Sequence, residues 1–404
     1  MTQPRVLYVV SLFPCWSETF IVREIATMIA AGADVRILSL KAPCEKLVQP
    51  DAEQLLPRVR HPLSPARAAL ARGMAFLAHP LAMSSVMLYL ARRLASQPLV
   101  LAKSIEALAR CIDQLGWIRD FDPDIIHAHW GTYPSTAALA LAHVLDKPFG
   151  FTCHAHDVFI CDHLLKEKIE SAQVPVTISR FNVDWLATRV TPLARERMKI
   201  IHCGVDLPTL PFRSGGRQPG LILAVGRLNS IKGFEVLIDA VALLVRQGRS
   251  VRCRIIGSGP LEASLLASIA RHGLEDRVEL VGALPQQEVR EALYSASVFA
   301  MPSVVTPEGD RDGIPVSLME AMAVGTPVVS TRVSGIPELI DDEHEGLLVA
   351  ERDPPALAVA LARLLDDSEL GRGMAVRARE KIEREFDAAR EAHKLLQFFA
   401  NGNA

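Results

Sequence analysis

Short apolar runs alternate with longer stretches in which apolar residues recur at helical spacing, and this alternation organises almost the whole chain. Brief buried runs between amphipathic segments are the pattern of parallel strands covered by helices. In the first half the runs predict strands over Arg5–Val10, Asp34–Leu40, Ile125–Ala128, Phe149–Thr152 and Val174–Ile178. Helices are expected between them, including Thr19–Ala31 and Thr136–Leu145. The pattern stops at Leu207–Gly220 (LPTLPFRSGGRQPG), which is dense in Pro and Gly and has no period, as a linker does. It then restarts, with strands over Leu221–Val225, Arg252–Ile256, Val278–Val281, Val298–Met301 and Val328–Ser330. Helices fit Phe234–Gln247, Leu261–His272, Gln286–Ser295, Val316–Ala323 and Pro354–Asp366, and Gly373–Ala400 reads as one or two amphipathic helices. The fold class is therefore α/β, with two Rossmann-like domains, 1–206 and 221–372, a linker at 207–220 and a helical tail at 373–404.

One region departs from this order. Between Arg58 and Arg119 there are nine cations and only two acids, Glu106 and Asp113, a balance of +7 on a sequence otherwise rich in Leu, Ala and Met. A basic, apolar helical insertion is what a membrane-surface segment needs, namely apolar burial plus attraction to anionic lipid. The bland alternative is an insertion packed on its domain with solvated arginines. Gly73–Ala91 carries no Lys, Arg, Asp or Glu and approaches the length of a spanning helix, but His79, Pro80, Ser84 and Ser85 interrupt it.

Composition narrows the classes further. The chain has 404 residues, 50% of them apolar and 22% charged, with a formal net charge of -2. That excludes disorder and any nucleic-acid partner recognised by bulk charge. The seven cysteines are odd in number and scattered, with no C-x-x-C, as in reduced cytosolic thiols. The N-terminal run is short and lacks a cleavage site, so it reads as a first strand rather than a signal.

Three constellations could carry chemistry. The first is Asp312–Glu320 within DGIPVSLMEAMAVGTPVV, two acids with seven residues between them. Pro315 suits the first position of a helix, which places Asp312, Gly313 and Ile314 in the loop before it and Glu320 inside it. Free backbone N–H groups at a helix start favour anions, and carboxylates accept hydrogen bonds from sugar hydroxyls. The second is Gly226-Arg227-Leu228-Asn229-Ser230-Ile231-Lys232-Gly233, directly after a predicted strand. Arg227 and Lys232 could both reach a diphosphate there, although this is not a P-loop. Gly257 and Gly259 lack the third glycine of a dinucleotide fingerprint, yet they could let a backbone approach a ligand. The third is a histidine-rich edge, with His127 and His129 at one strand end and Thr152, His154, His156 and Asp157 at another. Metal binding is tempting, but neither H-E-x-x-H nor a Cys/His pattern is present, and a hydrogen-bonded polar cleft is the preferred reading.

Taken together these residues resemble the retaining glycosyltransferases of family GT4, which have the GT-B fold. The E-x7-E element is similar to Asp312–Glu320, with Asp where Glu is usual, followed by GIP…MEAMA-x-G-x-PVV. G-R-…-K-G matches Gly226, Arg227, Lys232 and Gly233, and T-x-H-G-x-D matches Thr152, His154 and Asp157 with Ala155 in place of Gly. Cys203-Gly204-Val205-Asp206 resembles the hinge element N-G-V-D. Phe13-Pro14 with Ser17-Glu18-Thr19-Phe20 is similar to the exopolysaccharide branch, such as the colanic acid and amylovoran transferases.

The resemblance implies two facing domains with a C-terminal helix crossing back to the first. It implies a hexose moved, with retention, from a nucleotide sugar (UDP favoured over GDP) to a lipid-linked saccharide. No cofactor and no metal are expected. Arg227 and Lys232 would neutralise the leaving diphosphate, and Glu320 would meet the ribose hydroxyls. Asp312 and the backbone of Gly313, Ile314 and Pro315 would hold the hexose, with His154 beside it. Gly282 to Leu284 would read the base, and Gly226, Gly257 and Gly259 would line the donor site. Ser17, Glu18, Tyr133, His129 and Asp157 are acceptor-side candidates. Localisation would be cytoplasmic, at the inner face of the membrane. A phosphorylase or nucleotide-sugar epimerase on the same fold, or a non-catalytic membrane scaffold, are the competing readings.

Overall fold

The computed structural model describes residues 3–15, 18–43, 50–161 and 163–401. Two parallel sheets organise it. Strands β1 (Arg5–Val10), β2 (Asp34–Ser39), β3 (Val59–Arg60), β4 (Ile125–His129), β5 (Phe149–Cys153), β6 (Val174–Thr177) and β7 (Lys199–Ile200) pair in the order β3-β2-β1-β4-β5-β6-β7. Strands β8 (Gln218–Val225), β9 (Arg252–Ile256), β10 (Val278–Gly282), β11 (Ala296–Met301), β12 (Val328–Thr331) and β13 (Leu347–Val349) pair in the order β10-β9-β8-β11-β12-β13. In each sheet the first strand lies between the second and a later one. That reversal opens a crevice beyond the carboxyl end of β1 and of β8, where open α/β sheets bind ligands.

The chain divides into two compact units. The first holds Met1–Ile178, Asn182–His202 and Ala388–Ala404, and the second holds Ser179–Phe181 and Cys203–Asp387. In β1, Leu7 and Val9 join one core while Val6, Tyr8 and Val10 join another, so the two faces of one strand serve the two faces of the sheet. The second unit has one continuous core around β8, β11 and β12. Of the two tail helices, Ser368–Glu385 packs in the second unit and Ala388–Asn401 in the first. The last helix lies on helix Thr19–Ala30 and buries Leu395 and Phe399 completely. The two parallel-sheet α/β domains and the returning C-terminal helix read from the sequence are thus present. The return begins at Ala388, since Ser368–Glu385 stays with the second unit.

Between β3 and β4 the basic insertion forms helices Pro65–Ala78, Pro80–Leu94, Pro98–Ile112 and Leu115–Phe121. The first three start at proline, where the missing N–H has no intrahelical partner to lose. Among the described residues no single helix is long and apolar enough to cross a membrane. Pro65–Ala78 and Pro80–Leu94 pass that test only as a pair, and they turn through 106° at their junction.

Candidate active site

In the second unit the carboxyl end of β8 leads into Gly226 and Arg227. The loop that follows is fixed by backbone bonds to its neighbours. Gly226 N–H donates to the Ile256 carbonyl (2.9 Å), Leu228 N–H to that of Ser258 (3.0 Å), and Leu261 N–H to that of Leu228 (3.0 Å). The glycines make this interlock possible. Gly257 has φ +147°, and a Cβ there would lie 1.9 Å from the Gly226 carbonyl oxygen. At Gly259 a Cβ would lie 2.5 Å from the Leu228 carbonyl oxygen. Their close approach is therefore to the Gly226–Leu228 backbone itself. Gly282, at the end of β10, accepts the Gly257 N–H (2.9 Å), and Leu284 packs partly against the core.

Lys232 closes a 3-10 turn, Ser230–Lys232, ahead of Gly233 and helix Phe234–Arg246. Its Nζ donates to Asp312 Oδ1 (2.8 Å), and the Ser303 hydroxyl donates to Asp312 Oδ2 (2.7 Å). Asp312 is buried, so it ties the β8 loop to the end of β11. Each carboxylate oxygen keeps a second lone pair for a sugar hydroxyl. Gly313 and Ile314 follow, and Pro315 is the N-cap of helix Val316–Ala323 rather than its first residue. Glu320 sits half-buried on that helix. Arg227 is exposed and has no acid partner among the described residues, so its fork of donors is available to an anion.

In the first unit the carboxyl ends of β1, β4 and β5 meet around a pocket of about 360 Å³. Ser11, Glu18, Trp130, Tyr133, His156 and Asp157 are on its wall, with Lys103 reaching it from helix Pro98–Ile112. Ser11 and Tyr133 share a hydrogen bond of 2.7 Å. Glu18, Tyr133 and Asp157, expected on the acceptor side, are thus brought together, whereas Ser17 lies outside the described residues. Trp130 has φ +77°, a strained conformation for a bulky side chain, and such strain clusters at functional sites.

Behind this pocket runs a buried polar chain. The Tyr8 hydroxyl donates to Glu24 Oε1 (2.7 Å), which also meets His129 Nε2 (3.0 Å), and His129 Nδ1 lies 3.3 Å from His154 Nε2. A carboxylate only accepts, so His129 Nε2 carries a proton toward Glu24. The His154 backbone N–H donates to Asp157 Oδ2 (2.9 Å), and the His154 ring accepts the Asp157 N–H, a reciprocal cap on helix Ala155–Phe159. His129 and His154 are therefore placed within this chain rather than on the pocket wall. Burial would raise the Glu24 carboxyl, but the facing His129 imidazole and its hydrogen bond hold it down at about 2. The Glu24, His127 and His129 donor atoms lie within 4.8 Å of one another, near enough to hold a metal. Glu24 and His129 already bond each other, and His127 Nε2 bonds the Thr152 hydroxyl (2.9 Å).

Asp157 also faces Lys168. Burial lifts the Asp157 carboxyl to about 6 and lowers the Lys168 ammonium to about 7. Lys168 is fully buried, and its Nζ donates to the carbonyls of Gly131 (2.6 Å), Thr132 (2.9 Å) and His163 (3.0 Å). It thereby pins the two loops that shape the pocket. Sequence reasoning missed Glu24, Lys168, Trp130 and Ser303. Only Ser303 left a signal, as a polar residue at the end of a predicted strand.

The buried histidines give the unit a pH dependence. Burial first, then proximity to His129, lowers both His127 and His154 to about 3. The unfolded chain takes up those protons near pH 6.5 and the folded one does not. The histidines' contribution to stability is therefore fully present above about pH 6.5 and falls below it, by up to roughly 1.4 kcal/mol per pH unit for each, while the raised Asp157 carboxyl opposes part of that fall. Urea unfolding at pH 7 and pH 5 checks this. His127→Gln should lose less stability over that interval than the parent, and an equal loss would contradict the assignment.

Comparisons with known proteins bear on the family and the fold. Residues 17–208 match the family model described as Glycosyltransferase Family 4, and residues 219–367 match Glycosyl transferases group 1. The chain is 34% identical to the putative colanic acid biosynthesis glycosyltransferase WcaL of Escherichia coli, over 95% of this chain and 97% of that one. It is 42% identical to the amylovoran biosynthesis glycosyltransferase AmsK of Erwinia amylovora, over 51% of this chain and 52% of that one. Among solved structures, sucrose-phosphate synthase from Thermosynechococcus elongatus has the same fold, with TM-score 0.74 and 20% identity over 99% of this chain and 98% of that one. HepE of Anabaena, in complex with UDP and glucose, has TM-score 0.68 and 16% identity over 99% and 100%. With nearly the full length of a relative matched at 34% identity, and both halves covered by family models, the chain belongs to the family 4 glycosyltransferases.

Proposed function

We propose that the protein transfers a hexose from a UDP-sugar, with retention of anomeric configuration, to a lipid-linked saccharide in exopolysaccharide assembly. The observation that carries this reading is the pair of cations in the loop after β8, Arg227 exposed and Lys232 held by Asp312, which lies just ahead of the helix that bears Glu320. UDP is favoured because HepE, which shares the fold, binds UDP and glucose. The exopolysaccharide assignment follows the colanic acid and amylovoran relatives.

In the proposed reaction the bond between the sugar C1 and the β-phosphate oxygen breaks. Negative charge grows on that oxygen, and fixed cations stabilise it most in the transition state. The acceptor hydroxyl attacks C1 from the same face and passes its proton to the departing phosphate. No carboxylate nucleophile is needed. Glu320 holds the ribose, while Asp312 and the Gly313–Pro315 backbone hold the hexose. The first-unit pocket, with Glu18, Tyr133 and Asp157, orients the acceptor. Incubation with a panel of UDP-hexoses and a polyprenyl-diphosphate saccharide tests this reading. The expected product keeps the donor's α configuration by NMR coupling, and a β-linked product would overturn retention. A phosphorylase would release sugar phosphate instead, and a scaffold would give no product and bind neither UDP nor GDP.

Metal independence belongs to the same proposal, because Arg227 and Lys232 supply the positive charge that a metal would bring. Turnover in excess EDTA should match that in buffer. Abolition by EDTA with recovery on adding a divalent ion would contradict it, and would direct attention to Glu24, His127 and His129.

A further inference from the structure

Exposed large apolar side chains are concentrated in one part of the first unit. Leu70, Met74, Phe76, Leu77, Leu81 and Leu88 all stand open on the two helices that turn through 106°. At the apex Leu77 is 82% and Leu81 is 86% exposed. The opposite faces of these helices are already spent on the core, through Ala75, Val86, Leu90 and Leu94. A surface helix of a globular protein turns polar residues outward. Here both faces are apolar.

The order along each helix is informative. Arg67, Leu70, Met74 and Leu77 recur at spacings of three and four, so they share one face of Pro65–Ala78. Leu81, Leu88 and Arg92, spaced by seven and four, likewise share one face of Pro80–Leu94. Each arm therefore runs from an arginine at its outer end to leucine at the apex. Arg67 and Arg92 are exposed and have no acid partner among the described residues. No acid occurs in the sequence between Glu53 and Glu106.

This charge order selects the occupant. A second copy of the chain would bring arginine against arginine with no acid to pair them. An anionic bilayer offers hydrocarbon to the apex and phosphates to the arms. We propose that the junction of Pro65–Ala78 and Pro80–Leu94 is a wedge that enters an anionic lipid surface. Leu77 and Leu81 lie below the headgroups and Arg67 and Arg92 lie at phosphate level. Arg67 stands ten residues from Leu77, roughly 15 Å along the helix, enough to span the 5–10 Å depth at which interfacial apolar faces sit. The proposal rests on the reading of a membrane-borne acceptor, and its test uses neither donor nor acceptor.

Flotation of the full chain with phosphatidylcholine vesicles, with and without phosphatidylglycerol, provides that test. The parent should float on the anionic vesicles and be released as salt rises, because exposed charges are screened beyond about 8 Å at physiological ionic strength. Leu77→Glu/Leu81→Glu should lower partitioning on the order of 100-fold or more, as two leucines lose their apolar burial. Arg67→Glu/Arg92→Glu should remove the preference for anionic vesicles. Both pairs are exposed, so unchanged thermal unfolding and UDP titration would show that the fold and the second unit are intact. Leu77→Trp should blue-shift its fluorescence on anionic vesicles. Three results would overturn the proposal: no flotation of the parent on either vesicle, flotation unaffected by Leu77→Glu/Leu81→Glu, or a dimer in light scattering that the same pair of substitutions abolishes. The last would assign the face to a second copy.

Discussion

Lys232→Ala and Arg227→Ala are each expected to lower turnover on the order of 10²–10³-fold, the range for losing one preorganised charge-stabilising donor. The reason is positional. Both side chains leave the carboxyl end of β8, where the strand order reverses and a ligand's phosphates would lie. Lys232 is only 14% exposed and held at 2.8 Å by Asp312, so its ammonium needs no reorganisation when charge develops nearby. Removing it also leaves the buried Asp312 carboxylate with Ser303 alone, which disfavours a bound diphosphate further. Arg227 acts differently. Exposed, and without an acid partner among the described residues, it offers a planar fork that Arg227→Lys would replace with a point charge. Arg227→Lys should therefore recover only part of the loss. Steady-state kinetics with thermal unfolding as a control checks both. Turnover within a few-fold of the parent in both alanine variants would refute the phosphate assignment.

Asp312→Asn is expected to lower turnover about 10–10²-fold, equivalent to the roughly 1.5–3 kcal/mol of a hydrogen bond to a charged group. The chain has Asp where the family usually has Glu. Aspartate is one methylene shorter, a difference of about 1.5 Å. In the structure that shorter side chain spans from Lys232 to Ser303. A longer one would crowd this bridge, so Asp312→Glu should be impaired as well, though less. The amide keeps one oxygen that can accept from Lys232, but it is neutral and its nitrogen cannot accept from Ser303, so the ammonium loses its charged partner and the sugar hydroxyls lose a charged acceptor. The coupling is testable by a double-mutant cycle. If Asp312 acts by placing Lys232, Asp312→Asn should cost little more once Lys232 is alanine. If it acts on the sugar alone, the two losses should multiply. A fully active Asp312→Asn would end both roles.

Much of the fold is legible in the sequence because its strands are buried on both faces. Helices Gln286–Ser295, Val316–Ala323 and Pro354–Asp366 and strands β1 and β9 fall at the bounds the apolar pattern predicts. The edge strands β3, β7 and β13 escape it. With two or three residues each, Val59–Arg60, Lys199–Ile200 and Leu347–Val349 have no room for a period. The break at Asp387–Ala388 is also silent, since neither Gly nor Pro marks it.

In the site, Arg227, Lys232, Asp312 and Glu320 stand out as chemistry on loops and helix starts. The bond between Lys232 and Asp312 joins residues 80 apart, which only the fold can place together. Lys168 lies in Leu165–Ser171 (LKEKIES), a run that reads as a solvated charged helix, yet its ammonium is fully buried on three carbonyls. Glu24 is likewise hidden, as one acid in the amphipathic helix Thr19–Ala30. What selects these two is tertiary: a hydrogen-bond demand from a neighbouring loop or histidine that leaves no trace in local periodicity.

The most direct test of the central claim, a nucleotide-sugar site built on Arg227 and Lys232, is calorimetric titration of the full chain with UDP and with GDP. The proposed function predicts a single UDP site on the parent, weaker or absent GDP binding, and UDP binding markedly weakened by Lys232→Ala. No heat with either nucleotide, or UDP affinity unchanged by Lys232→Ala, would contradict it.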